Sequence, residues 1–281
     1  MKTRLANMLF DAKSLGGIGT TICMPELSVA VDIGFCTPAA LRCDTLILTH
    51  GHADHVSGLT TWLGTRRLYG MRPGRIIVPA LMLPVMERFL EVLGQLQGRP
   101  YETEVIGVDF GEEVQITKDT FATPFPVEHS GPSAGWALIR LVRKLDPKYH
   151  GLPGNQIAKM KENPPEGMFS TKLETSVAIT GDTTAAGLLP LDSLVKEAKV
   201  LFVESTFVDD RRSFDQALLG KHSHLDQLLP VLEQVQSEAI VLYHFSQIYR
   251  VGEIEAAVKE RLTDKLASVV HLLLPQEGDR L

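Results

Sequence analysis

Cysteine is scarce in this chain of 281 residues, limited to Cys23, Cys36 and Cys43. An odd number without C-x-x-C spacing excludes a disulfide framework and a cysteine-built zinc site, and leaves small core residues in a reducing compartment. No stretch approaches the roughly 18 to 20 apolar residues that span a membrane, and no charged segment followed by an apolar run opens the chain. The expectation is a cytoplasmic protein with no membrane partner. Excess positive charge is missing as well. At a formal charge of −6 the molecule as a whole does not draw in nucleic acid, so an RNA would be held by a local basic patch or by bound cations. Arg66, Arg67, Arg72 and Arg75 form one basic cluster and Arg140, Arg143, Lys144 and Lys148 another, each equally readable as a solvated face. Low-complexity tracts and short-period repeats are absent, and glycine and proline are spread along the chain instead of pooled in a linker. Residues 1–281 are therefore expected to form one domain.

What is present alternates between apolar runs and turn signals. Strands are expected over 28–33, 44–49, 104–108, 114–117, 121–127 and 136–142, and in the last third over 175–180, 200–204, 239–243 and 268–274. Helical patterns cover 56–69, 81–96, 192–198, 225–235 and 251–262. A β-then-helix half followed by a second one implies an α/β fold of two sheets packed face to face with helices outside. Residues 146–170, rich in Pro, Gly and Lys, break the pattern. A loop of that length inside a compact domain is uncommon and often functional, and it is expected to be a substrate-facing flap.

The sharpest chemical signal is Thr49-His50-Gly51-His52-Ala53-Asp54-His55, which follows an apolar strand and opens a helix. Packing alone gives no reason to crowd imidazoles and a carboxylate at the end of a core strand, because burying them costs free energy unless they are paired or bound to metal. A capping turn would explain Asp54 but not three histidines. His50 and His52, two apart in an extended segment, can point to one side, and Asp54 and His55 around the turn to a neighbouring position, so one peptide can serve two ions. Three more strands end in Glu128-His129, Gly181-Asp182 and Tyr243-His244. Each is weak alone, but open sheets place their ligands at strand ends. Asp182 is the natural carboxylate bridge between two cations. Imidazole-rich ligation favours two zinc ions, with manganese or iron as alternatives. Separately, Glu204 after a strand and His222 before a helix suit either an oriented acid–base pair or a plain ion pair plus helix cap.

With these residues in hand the chain resembles the metallo-β-lactamase superfamily, and within it the short-form ribonuclease Z (tRNase Z) branch, from about Leu15 to Arg250. The H-x-H-x-D-H motif matches His50 to His55 without a gap. The resemblance implies a four-layer αβ/βα sandwich, a first metal on His50, His52, His129 and Asp182, and a second on Asp54, His55, Asp182 and His244. It also implies a proton-donating role for Glu204 with His222, catalytic duty for Asp54, and substrate contacts from Ser246, Tyr249 and Arg250. The implied reaction is attack of a metal-activated hydroxide on precursor tRNA, releasing the 3′ trailer, in a homodimer whose RNA-gripping element can come from the other subunit. Two departures stand out: Ile248 occupies the place of the family's usual arginine, with Arg250 two residues on as a candidate stand-in, and the stretch between Tyr69 and Tyr101 carries an ordinary helix where bacterial members of the family often have a long flexible arm that grips tRNA. These keep a second reading open, a phosphodiesterase for cyclic nucleotides or other small phosphodiesters. A catalytically silent RNA-binding protein is the third.

Overall fold

Continuous apolar runs in this sequence become strands covered on both faces. Along Val200–Glu204, Val200 and Phe202 face the opposite sheet while Leu201 and Val203 face helices. Along Ala239–Tyr243, Val241 and Tyr243 turn one way and Ile240 and Leu242 the other. Side chains alternate at a period of two, and with both faces buried no polar alternation remains to be seen in the sequence.

The computed structural model describes residues 1–276 together with Gly278 and Asp279. Two seven-stranded sheets are formed. In the first, β1 (Lys2–Leu5), β2 (Met8–Leu15), β3 (Gly19–Met24) and β4 (Val29–Val31) run antiparallel, and β5 (Thr45–Ile47), β6 (Arg75–Pro79) and β7 (Glu104–Val108) continue in parallel. The second repeats the scheme, with β8 (Val114–Thr117), β9 (Thr120–Phe125), β10 (Gly135–Leu145) and β11 (Phe169–Ile179) antiparallel and β12 (Val200–Glu204), β13 (Ala239–Tyr243) and β14 (Val270–Leu272) parallel. Phe10, Ile22, Ile47, Ile77, Trp136 and Phe202 fill the space between the sheets. Outside the first sheet, helices Leu59–Leu68 and Leu83–Leu96 pack Trp62, Met86 and Leu90 against Leu46 and Ile76. Helices Leu225–Leu232 and Val251–Arg261 do the same for the second with Leu228 and Ile254. The expected αβ/βα sandwich is what forms. Cys23 and Cys43 are core residues as expected, and Cys36 is half-buried. Among the described residues no helix is long and apolar enough to cross a membrane.

Two differences from the sequence reading bear on function. The helix expected over 56–69 is split into Ala53–Val56 and Leu59–Leu68. The break falls at Gly58, where a Cβ would lie 2.5 Å from the Ile33 carbonyl oxygen, so the chain passes too close to the strand end for a side chain. The second difference concerns residues 146–170. β10 and β11 pair with each other as far as Leu145 and Phe169, whereas β9 flanks β10 only to Arg140 and β12 flanks β11 only from Val177. A two-stranded ribbon therefore leaves the sheet, with helix Gly154–Met160 in its tip. It departs from the N-terminal end of β11, remote from Asp182 at the other end.

Candidate metal centre

Parallel strands deliver their following loops to one edge. The loops after β5, β9, β11 and β13 carry His50 to His55, His129, Asp182 and His244 respectively, β12 ends in Glu204, and that edge is where open α/β sheets gather ligands. Close backbone approaches hold the loops together. A Cβ on Gly34 would sit 2.0 Å from the Asp54 carbonyl oxygen, and one on Gly16 2.8 Å from that of His244. His244 and Asp32 themselves adopt left-handed backbone, φ 66° and 57°, a conformation that side chains rarely take outside sites that over-determine it.

Residues far apart in the chain converge here. One donor atom from each of His50, His52, His129 and Asp182 lies within 4.8 Å of the others, and the same holds for Asp54, His55 and His244. Asp182 reaches into both groups. Its Oδ2 is 3.7 Å from His50 Nε2, 3.8 Å from His129 Nε2 and 3.5 Å from His244 Nε2, while its Oδ1 is 3.3 Å from His55 Nε2. Asp54 Oδ2 lies 3.2 Å from His244 Nε2 and accepts a hydrogen bond from Gly17 N–H.

The outer hydrogen bonds fix what these rings present inward. His129 Nδ1 sits 2.9 Å from the Lys221 carbonyl, which can only accept. His55 Nδ1 donates to Asp32 over 2.7 Å. The Thr49 hydroxyl gives its proton to Asp32 and so accepts from His50 Nδ1, and the Thr206 hydroxyl gives its proton to Glu204 and accepts from His244 Nδ1. With Nδ1 engaged outward, the four rings turn Nε2 toward one another, His55 and His244 only 3.3 Å apart. His50 Nε2 and Asp182 Oδ1 are buried without a hydrogen-bond partner. Lone pairs cannot satisfy lone pairs, so the donor set fits cations.

Electrostatics agree. Burial, with His55 alongside, pushes the His50 imidazole down to about 2, and burial also lowers His129. Burial works against charge on Asp182, yet His244 and His55 hold its carboxyl well below the usual carboxylate range. His55 is lifted in spite of burial, because Asp182 and Asp32 flank it. His50, His129 and Asp182 are thus poised as deprotonated ligands, and a cation would have to displace a proton from His55.

Glu204 is fully buried behind this cluster. Its carboxylate accepts from His222 Nδ1 (3.0 Å), from the Thr183 and Ser223 amides, and from the Thr206 amide and hydroxyl. Burial opposes a charge on His222, but the Glu204 carboxylate overcomes it and lifts the imidazole to about 9. His222 Nδ1 is 3.9 Å from Asp182 Oδ2.

Ser246 is half-buried, and its amide is tied to the Thr206 carbonyl. Tyr249 is instead fully buried, its hydroxyl accepting from Val208 N–H and its ring beneath Arg211; in this placement it braces the loop and does not reach the open face. Exposed Arg250 caps helix Val251–Arg261, its amide donating to Glu253. Sequence reasoning missed Asp32, Thr49, Thr206 and Lys221. Asp32 had a signal, a carboxylate closing the apolar run 28–33, and the others had none beyond adjacency.

The fold and the site define a metal-dependent hydrolase of the metallo-β-lactamase type. A family model described as "Beta-lactamase superfamily domain" matches residues 36–245. The chain belongs to that superfamily and, within it, to the tRNase Z family. It is 38% identical to the tRNase Z TRZ1 of Arabidopsis thaliana over 88% of this chain and 89% of that protein, and 34% identical to the chloroplastic tRNase Z TRZ2 of the same plant over 95% and 76%. The crystal structure of human tRNase Z, short form, superimposes with a TM-score of 0.58 at 18% identity, covering 85% of this chain and 92% of that one.

Proposed function

We propose that this chain is an endoribonuclease that removes 3′ trailers from precursor tRNA. The observation that carries the reading is the pair of buried Glu204 and half-buried His222 set against the cation-binding cluster, in a chain whose relatives are named tRNase Z. We assign His50, His52, His129 and Asp182 to one metal ion and Asp54, His55, Asp182 and His244 to a second, with zinc favoured by the five imidazole ligands and manganese or iron as substitutes. When bound, such ions supply the Lewis acidity that ionises a water near neutral pH and draws charge from a phosphoryl oxygen.

The chain's own residues do the rest. Asp182 sets the separation of the two positions, and Asp54, anchored by the Gly17 amide, orients the attacking water. Glu204 fixes the His222 tautomer with Nδ1 protonated and keeps the ring cationic, so Nε2 can hand its proton to the departing ribose oxygen. The product is a tRNA with a free 3′-hydroxyl and a trailer with a 5′-phosphate. The β10–β11 ribbon, carrying Arg143, Lys144, Lys148, Lys159, Lys161 and Lys172, grips RNA backbone away from the scissile bond; it takes the role of the arm that the helix between Tyr69 and Tyr101 replaces. Because the ribbon leaves the sheet remote from Asp182, the homodimer implied by the family would let it serve the other copy's site. Buried Cys23 and Cys43, free of disulfide, support a cytoplasmic setting.

The test is a defined precursor tRNA with a short 3′ trailer, incubated with zinc-, manganese- or iron-loaded protein. Cleavage at the trailer junction, abolished by chelation, is expected. Turnover of bis(p-nitrophenyl) phosphate with the precursor left intact would defeat the tRNA reading.

A further inference from the structure

Arg66, Arg67, Arg72 and Arg75 lie close together in the sequence, and the metal centre uses none of them. Two are absorbed by the fold. Arg66 is buried and donates from its Nη atoms to the Leu41, Cys43 and Arg72 carbonyls and to Asp44, while Arg75 bonds the Thr45 hydroxyl and the Ile116 carbonyl. Arg67 is placed differently. Its guanidinium lies flat over Tyr101, 3.6 Å from the ring centroid, and donates to the Pro100 carbonyl; among the described residues it has no carboxylate partner. Arg99, one residue before that carbonyl, is exposed and likewise unpaired.

These side chains line one cavity of about 440 Å³, between the end of helix Leu59–Leu68 and the segment that leads into β7. Arg66, Arg67 and Arg99 make it cationic on one side, Leu63, Met71 and Pro73 give it an apolar wall, and Glu102 adds an acceptor. Arg66 Nε is a buried donor without a partner, an unfavourable state that an entering acceptor relieves. The cavity is separate from the reaction. Gly74 lines it, and β6 starts at the next residue and runs to the ligand edge, so it lies about one strand length, roughly 16 Å, from the metal centre.

Size and lining select the ligand. The cavity is larger than a bare phosphate needs and falls within the range of small-molecule sites. Guanidinium groups take phosphate oxygens two at a time, and one already held flat on an aromatic ring loses little freedom on binding. An apolar wall beside them calls for a flat body, and a free carboxylate for a hydroxyl. We propose that this cavity binds a nucleoside monophosphate, its phosphate on Arg67 and Arg99, its base against the apolar wall and a ribose hydroxyl on Glu102. Because the ligand ties the helix end to residues 99–103, it stabilises the folded chain by linkage. The proposal is independent of the tRNA reading, whose scissile phosphate lies at the other end of β6.

Isothermal titration of the metal-loaded full chain tests it, with AMP, inorganic phosphate and adenosine as separate titrants, for the parent, Arg67→Gln and Arg99→Gln. Arg67 is half-buried and Arg99 exposed, so the variants fold, and hydrolysis of bis(p-nitrophenyl) phosphate is expected to be unchanged in both. AMP can also reach the metal ions, so its position is read by irradiating bound 8-azido-AMP and mapping the labelled peptides. The parent is expected to bind AMP at least tenfold more tightly than phosphate or adenosine, to melt higher in its presence, and to be labelled within residues 62–74 or 99–103. Each variant is expected to weaken AMP about tenfold or more, through the loss of charge-assisted hydrogen bonds. Label confined to the peptides that carry the metal ligands, phosphate held as tightly as AMP, or variants that bind AMP like the parent would each overturn the proposal.

Discussion

At the scale of single residues the centre is governed by hydrogen bonds one layer behind the ligands. Asp32 shows this most directly. It holds His55 Nδ1 and both the amide and hydroxyl of Thr49, which in turn orients His50. Asp32→Asn keeps the left-handed backbone, which asparagine tolerates, but removes the charge behind two ligands. Metal affinity is expected to fall about 10- to 100-fold, read by competition with a chromophoric chelator. Glu204→Gln probes the other pair. In metal-free protein the parent His222 should titrate at about 9, and the variant well below it, by NMR of the imidazole protons. Because the folded value lies above the unfolded one of about 6.5, the stabilisation is fully present below pH 6.5 and lost as pH rises through 9. The difference in melting temperature between parent and variant should therefore shrink over that window.

Among the elements, legibility followed burial. Strands such as β12 and β13 were readable because both faces are buried and their runs are unbroken. The helix pattern of 81–96 was readable because Met86, Leu90 and Leu93 recur at helical spacing. The outer halves of β10 and β11 were not, since their side chains from Arg140 to Lys144 and Ser170 to Glu174 are mostly solvated and charged, and no core imposes a period on them. Short elements held by caps also escaped, such as Pro38–Leu41 beneath Thr37 and Phe214–Gly220 with its Ser213–Gln216 capping box. The histidine turn was legible by composition, and its convergence with His129, Asp182 and His244 was foreseeable only from strand ends. What no pattern showed was how closely the loops interlock. At Gly34 a Cβ would meet both Asp54 O and the Thr20 amide nitrogen, at 2.0 and 2.5 Å. Gly34→Ala must displace the backbone that carries Asp54, so a destabilisation of about 1–3 kcal/mol in urea unfolding is expected, with metal binding weakened beyond what the loss of fold explains.

For the whole molecule, charge must be weighed by place and not by sum. A net −6 disfavours RNA at a distance, yet the ribbon carries Arg143, Lys144, Lys148, Lys159, Lys161 and Lys172 against Asp146, Glu162 and Glu166, with Lys144 paired to Glu174, and attraction screened beyond about 8 Å at physiological salt depends on the local patch. At Ile248 the loop is braced without an arginine of its own: Arg211, salt-bridged to Asp209 and Glu253, stacks over Tyr249. Replacing residues 146–168 with a two-residue turn leaves both sheets and every proposed ligand in place. Cleavage of precursor tRNA is expected to fall by two or more orders of magnitude, chiefly through KM, and to lose much of its dependence on salt, since fewer counterions are released on binding. Hydrolysis of bis(p-nitrophenyl) phosphate should continue at the parent rate, because that substrate needs only the cations and the proton donor. If the shortened protein still processed the precursor normally, the ribbon would be a surface ornament and recognition would have to lie with residues beside the centre such as His222 and Ser246.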